Sequence, residues 1–509
     1  MIRKRSWRHL LFLVSALWVL MLLAAGCGRS GSEGETGGNP NEPGKGIGEP
    51  AKFRVLFDFN VDPQGMSLED NEYTRFLLEK TGVKIELESP GSAGYMDKLN
   101  VLMASGNYPD AFMITDRDKL LQFAADGLLT DLAPYLDKYP NLKNKMPKDA
   151  WLPVTQQGKI WAVPFNRHDG FHQVVYINKK WLDNLNLPVP KTIDDFYNVL
   201  KAFTERDPDG NGKNDTFGLL GNNDLSYGGR IFQAAFDAET YKVVNNQLIP
   251  PEISNEYREY LTFMNRLIQE KILDPEWPTI TSTVFREKVN TGKYGMFNGF
   301  WHFKTGREFA PGVMDNYIAI EPPLKKDGTP SYFTYATTNR HYIAIPKTTK
   351  NVEQLLRFFD WVVSDEGTRF VYLGIEGVHY TMNNGKPQLT SNAKHPIHWA
   401  FSLVKQGNLD DKVKEYLKFE YSDEVLGYLE LANRIGRLDK IAASLPYFQE
   451  LSAYNLKQIS DEYRAKTVLG NEKIETSWEN YVNKYKASGG EKMIQLYTEW
   501  YNKEGRNLK

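Results

Sequence analysis

The chain has 509 residues, 41% hydrophobic and 25% charged, a composition typical of a water-soluble globular protein long enough for two or more domains. Its 62 basic and 64 acidic residues leave a formal net charge of −2, so nucleic acid and anionic surfaces are not favoured partners. Cys27 is the single cysteine, which excludes an intramolecular disulfide and a cysteine-rich metal site. Aromatic residues make up 13%. Most of these serve packing, and the surplus suggests stacking surfaces.

The N-terminus opens with Arg3, Lys4, Arg5 and Arg8, followed by an apolar run over residues 10–25 and then Gly26 and Cys27. This is the order of a charged n-region, a short h-region and a small-residue processing site. Residues 28–50 are mainly Gly, Ser, Glu, Asn and Pro and read as a flexible tether. The stretch around Cys27 resembles a bacterial lipoprotein signal with its lipobox, with Ala24 where that family usually has Leu. The resemblance implies a signal peptide over residues 1–26 and a tether over 27–50. Cys27 becomes the diacylglyceryl-modified N-terminus on the extracytoplasmic face of the cell membrane. Acyl chains anchor through about 0.8 kcal/mol per buried CH₂. The alternatives are a plain secretory signal and an uncleaved membrane helix, for which residues 10–25 are short against the usual ~20.

The first strand is expected over residues 53–59. A helix follows from Ser67, with Asp70 in a capping-box-like position and Gly82 as its stop. Residues 83–88 alternate strictly and predict a half-buried strand. Residues 95–105 carry Leu99, Leu102 and Met103 at helical spacing, and 109–114 form a short buried strand. This β-α-β-α-β order predicts an α/β domain. Ligands of such sheets sit beyond the strand carboxyl ends, which singles out Thr115 and Asp116. Further strands are expected near 158–165, 174–178, 292–297, 317–320 and 342–345. Helices are expected after Thr192, with Asp195 completing its capping box, and over 116–125, 254–272 and 352–364. Beyond about residue 405 the chain becomes mainly helical.

Four motifs carry a family resemblance: Ala104-Ser105-Gly106-Asn107-Tyr108-Pro109-Asp110, Tyr176-Ile177-Asn178-Lys179-Lys180-Trp181-Leu182, Pro190-Lys191-Thr192-Ile193-Asp194-Asp195-Phe196 and Trp361-Val362-Val363-Ser364-Asp365-Glu366-Gly367. In this order they resemble the extracellular solute-binding proteins of carbohydrate-type ABC transporters, and the large subgroup similar to alginate-binding and maltodextrin-binding proteins. The resemblance covers most of residues 51–385. It implies an α/β, two-lobe periplasmic-binding-protein-like fold (type II) with an interlobe cleft and a mainly helical C-terminal part. The lobes are expected as 51–168 with 340–405, and 169–339 with 406–509, crossing near residues 166–174 and 333–340. The implied partners are an oligosaccharide-like ligand, ABC permease subunits and, through the anchor, the membrane; a monomer is expected.

The sharpest local motif is Asp207-Pro208-Asp209-Gly210-Asn211-Gly212-Lys213-Asn214-Asp215. Oxygen side chains at positions one, three, five and nine, with Gly at six, match the start of an EF-hand calcium loop. Asp207, Asp209, Asn211 and Asp215 supply side-chain oxygens and Lys213 its carbonyl, for a structural calcium. Position twelve is Gly218 instead of Glu, so Thr216, water or a distant carboxylate would have to complete the shell. A plain Asx/Gly turn is the alternative.

No H-E-x-x-H, G-x-S-x-G or G-x-x-x-x-G-K-[ST] is present, and no carboxylate pair stands out as a glycosidase dyad. The chain is therefore read as a non-enzyme. A surface glycan-degrading hydrolase or lyase, or a sensing lipoprotein without transport, are the rivals. Sugar sites combine aromatic faces with a few planar polar groups. The candidates for the cleft are Asp58, Thr115, Asp116, Asn166, Arg167, Trp301, His302, Arg340, His379 and Tyr380, with Trp301 foremost.

Overall fold

The structure, a computed structural model, describes residues 50–58, 65–166, 170–393 and 409–508, without the side chains of residues 92, 93, 166 and 340. The signal, Cys27 and nearly all of the tether lie outside the described residues.

Ten strands form its centre: β1 (Ala51–Leu56), β2 (Val83–Glu88), β3 (Ala111–Ile114), β4 (Val163–Asn166), β5 (Gln173–Asn178), β6 (Phe217–Leu219), β7 (Tyr294–Phe300), β8 (Tyr317–Ile320), β9 (Phe333–Tyr335) and β10 (Asn339–Ala344). Nine of them make two sheets, ordered β2-β1-β3-β10-β4 and β8-β5-β7-β6. In the first, β1 runs parallel to β2 and β3, while β10 lies antiparallel between β3 and β4. In the second, β7 is parallel to β6, and β5 is antiparallel to both β7 and β8.

Both faces of the first sheet are covered, as its parallel strands require. Val55, Phe57, Ala111, Met113 and Ile343 face one buried cluster, and Leu56, Phe112, Ile114, Tyr342 and Ala344 face the other. This period-2 alternation is what lets short apolar runs act as central strands. Helices α1 (Glu72–Thr81), α2 (Ser92–Ser105) and α3 (Arg117–Ala125) complete the βαβ units of this lobe. Around the second sheet pack α4 (Ile193–Glu205), α5 (Gly229–Ala235) and α6 (Asn255–Gln269).

The bounds of two elements differ from expectation. Helix α1 begins after Asn71, whose side chain accepts the Tyr73 and Thr74 N–H groups while Thr74 returns the capping box. Ser67 instead accepts Glu69 N–H and Asp70 N–H and closes a separate turn. Strand β7 continues through Asn298 and Gly299 to Phe300, past the end expected near residue 297.

The chain leaves the first sheet after Asn166 and enters the second at Gln173; it returns between Tyr335 and Asn339. Strand β9 pairs in parallel with β11 (Gly436–Leu438) from the C-terminal part. There, α7 (Leu456–Val468) docks on α6, where Asn265 donates to Thr467 O and Val468 O at 2.9 and 3.2 Å. The next helix, α8 (Ile474–Tyr485), stacks Tyr481 on Tyr463 at 3.9 Å. The C-terminal part also touches the first lobe: Arg117 donates to Pro153 O at 2.9 Å and Leu445 O at 2.6 Å.

Candidate functional site

Strand direction locates the site. The carboxyl ends of β1 and β3 share an edge with the start of the antiparallel β10 and the end of β4. In the second sheet, the ends of β6, β7 and β8 share an edge with the start of β5. Both crossovers join these two edges, so the cleft lies between them, where open α/β sheets bind ligands.

On the first edge, Asp58 follows β1 and its Oδ1 lies 3.1 Å from His341 Nε2. His341 is buried edge-on to Phe165 at 5.6 Å. Thr115 and Asp116 are exposed beyond β3, and Asp116 caps α3 by accepting Lys119 N–H. Asn166 and Arg340 stand on β4 and β10 at this edge by their backbones. Arg167 lies outside the described residues.

The second edge is aromatic. His302 stacks on Phe300 with centroids 5.3 Å apart and planes 9° from parallel, and its Nδ1 lies 3.5 Å from Glu308. His172 packs against Phe300 and Tyr335, both at 5.1 Å. These rings are half-buried, apart from the buried Tyr335. Trp301 is not among the open faces: it is 0% exposed and sits edge-on to Tyr421 at 4.8 Å. Burial leaves it no face for a sugar, and Phe300, His302 and Tyr421 are the half-buried rings beside it. Sequence patterning missed His172, His341 and Tyr421. The aromatic run 300–303 was the only local signal pointing there.

His379 and Tyr380 are packing residues in this structure. His379 is buried, stacked on Tyr73 at 4.9 Å, and accepts Ile375 N–H at Nδ1. That fixes the proton of the neutral ring on Nε2, beside Glu72 Oε1 and the Tyr73 hydroxyl, both at 3.2 Å. Tyr380 is buried and donates to Glu376 at 3.3 Å.

A largely enclosed ion pair, with side chains 16% and 9% exposed, links the second-lobe ends of both crossovers. Arg230 donates to Glu239 at 2.7 Å, to Gln173 Oε1 at 3.0 Å and to Thr334 O. Glu239 in turn accepts Thr334 N–H at 2.6 Å. Gln173 opens β5, and Thr334 lies in β9, so one guanidinium grips the second-lobe side of each crossover. Burial works against the Arg230 charge, but Glu239 beside it keeps its pKa above the usual arginine value.

At the calcium-like loop, Asp207 (φ 47°) and Gly212 (φ 76°) turn the backbone through the left-handed region. Asp207 accepts Asn211 N–H at 3.1 Å and Gly212 N–H at 2.9 Å, and the Gly212 N–H foremost holds its carboxyl below the usual range. The Asn211 amide bridges Asp209 at 2.9 Å and Asp215 at 3.2 Å. Burial, then the Asp207 carboxyl, pushes Asp209 up. Lys293 pairs with Asp215 and, with Asn211, holds it low. Position twelve has no room for a carboxylate, because a Cβ on Gly218 would lie 2.4 Å from Leu200 O. Thr216 turns inward and donates to Phe203 O at 2.8 Å. Among the described residues no group of three or more His, Cys, Asp or Glu side chains is placed to hold a metal ion.

Two α/β sheets joined by two crossover strands, with a polar edge facing an aromatic one, define a two-lobed ligand-binding protein. The chain belongs to the bacterial extracellular solute-binding protein family, whose description matches residues 67–369. It is 28% identical over 511 aligned positions to the polygalacturonan/rhamnogalacturonan-binding protein YtcQ of Bacillus subtilis (strain 168), covering 97% of this chain and 98% of that one. It is 27% identical to lipoprotein LipO of the same organism, over 83% and 88% of the two chains. The third relative, FusA, is a fructooligosaccharide ABC transporter substrate-binding protein of Streptococcus pneumoniae serotype 4, 28% identical over 67% of this chain and 66% of that one. The structure of a FusA EF-hand mutant with fructo-nystose superposes with a TM-score of 0.65 at 19% identity, covering 90% of this chain and 100% of that one. Family and relatives are binding proteins, not enzymes.

Proposed function

We propose that this protein captures an oligosaccharide in its cleft and delivers it to an ABC permease, held to the extracytoplasmic face of the cell membrane through acylated Cys27. The observation that carries the reading is the pairing of half-buried rings (Phe300, His302, Tyr421) on one edge with the Asp58 carboxylate, held by the buried His341, on the other. Sugar rings offer apolar faces to the first and hydroxyl rims to the second. Whole-length likeness to a pectin-type polysaccharide-binding relative, and to a lipoprotein, supports the ligand class and the anchor. The lobes are read as 51–168 with 340–405, and 169–339 with 406–509. The protein acts as a monomer and catalyses no reaction.

The loop at 207–215 is read as a structural calcium site. Its donors are all oxygen, as a hard cation prefers: Asp207, Asp209, Asn211, Asp215 and the Lys213 carbonyl, with water completing the shell. The Asn211 amide nitrogen bridging two carboxylates marks where positive charge is favoured, and a relative carries a named EF-hand.

Isothermal titration against pectin-derived, fructan and α-galactoside oligosaccharides is the direct test. Saturable binding is expected for one class, with His302→Ala weakening it about tenfold through the lost stack. No binding across the panel rejects the reading, and release of shortened sugars from a polysaccharide would make the protein an enzyme.

A further inference from the structure

A second groove, of about 1070 Å³, lies on the flank of the second lobe between the start of α4, one side of α6 and residues 324–328. It shares no residue with the cleft edges described above. Its floor includes Phe236 and Phe263, with ring centroids 5.5 Å apart. Four cations and two carboxylates line it, in a chain whose net charge is −2.

Three of those cations are already neutralised. Lys326 pairs with Glu259, Lys325 with Asp237 at 3.1 Å, and Arg266 with Glu270 at 2.9 Å. Arg258 is the exception. It stands on α6, half-buried, and among the described residues its guanidinium makes no hydrogen bond or ion pair. Burying part of a charge without a partner forfeits hydration and returns nothing. A planar guanidinium beside aromatic faces fits a flat carboxylate on a ring.

We propose that this groove binds a carboxylate-bearing sugar, a uronic acid residue of an acidic glycan, through Arg258. The carboxylate lies against the guanidinium, the ring face lies over Phe263, and Asp194 at the rim accepts hydroxyl protons. One free cation among three neutralised ones suits a ligand with one negative charge per ring, in contrast to a phosphate-dense polymer. The volume accommodates more than one sugar ring, as ligand clefts of this size do. The site gives the protein a hold on an acidic polymer outside its cleft.

Hydrogen–deuterium exchange of the full chain tests this with a uronic acid trisaccharide, its methyl ester and inorganic phosphate. The acid is expected to slow exchange in peptides covering 255–269 and 324–328, and the ester and phosphate are not. Arg258→Gln, a half-buried helix-surface change, is expected to weaken that protection at least about tenfold in ligand concentration. Absent protection, equal protection by the ester or by phosphate, or unchanged protection in Arg258→Gln each overturns the proposal. Peptides covering 300–305 and 339–344 report the cleft in the same experiment, so failure at one site is read separately from failure at the other.

Discussion

At the scale of single residues, the calcium reading turns on four oxygen side chains in nine positions. That register was fully legible in the sequence, because loop ligands follow local spacing. The closing ligand was not, because it depends on what lies beside Gly218, and the Leu200 carbonyl there is eighteen residues away in the chain. With no carboxylate at position twelve, a calcium held by this loop would lack one side of its protein shell and would bind more weakly than in a complete loop. A cation that binds only the folded chain stabilises it, by about 2.7 kcal/mol at a hundred times its dissociation constant. A chelator is therefore expected to lower the melting temperature of the wild type, with calcium restoring it. Asp207→Ala with Asp209→Ala should melt at one temperature under both conditions. Identical wild-type curves with and without chelator remove calcium from the account.

At the scale of elements, most helices and strands follow from patterning. Thr192 and Asp195 form the expected capping box at α4, and Val83–Glu88 is the alternating strand read from sequence. What patterning cannot supply is the pairing of distant elements, such as β9 with β11 a hundred residues later, since register there is set by tertiary packing. The link between α4 and the end of α6 is of this kind. Glu270 accepts from the Tyr197 hydroxyl at 2.5 Å, from Arg266 at 2.9 Å and from Lys201 at 3.0 Å. Arg266 also lies over the Tyr197 ring at 3.8 Å. The Tyr197 hydroxyl first, then Arg266 and Lys201, hold the Glu270 carboxyl down at about 2, against an ordinary value of 4.5. A depressed carboxyl stabilises the fold above its unfolded value and loses that contribution as pH falls through its folded value. Glu270 thus contributes in full above pH 4.5 and progressively less toward pH 2. Glu270→Gln should lower stability at pH 7, and the gap to wild type should narrow between pH 4.5 and 2 in urea titrations. A gap that stays constant across that range would show the carboxylate charge is not what links α4 to α6.

At the scale of the molecule, the two-lobe architecture was legible from motif order, yet the tie between the crossovers was not. No local pattern marks Arg230 as that tie, because Gln173, Glu239 and Thr334 meet it only once both crossovers are in place. The same holds for the cleft wall: Trp301 was the conspicuous ring in sequence, and tertiary packing buried it and left Phe300 and His302 half-buried. A two-lobed trap binds by closing, and its apparent affinity scales with the fraction of molecules able to close correctly. Arg230 ties Gln173 at the start of β5 to Thr334 in β9, and it is expected to keep the two strands moving together when the lobes close. Arg230→Met leaves Glu239 without its cation, and since the pair is not fully buried the cost should fall below the ~3–5 kcal/mol of a broken buried pair, while Asp58, His302 and Tyr421 stay in place. Solution scattering of the wild type with its glycan is expected to show a smaller radius of gyration than without it. Arg230→Met should compact less at saturating ligand and bind more weakly, and Arg230→Met with Glu239→Leu should regain stability without regaining compaction. If the single variant remains folded and compacts as fully as the wild type, the ion pair supports the lobe but does not govern its closing.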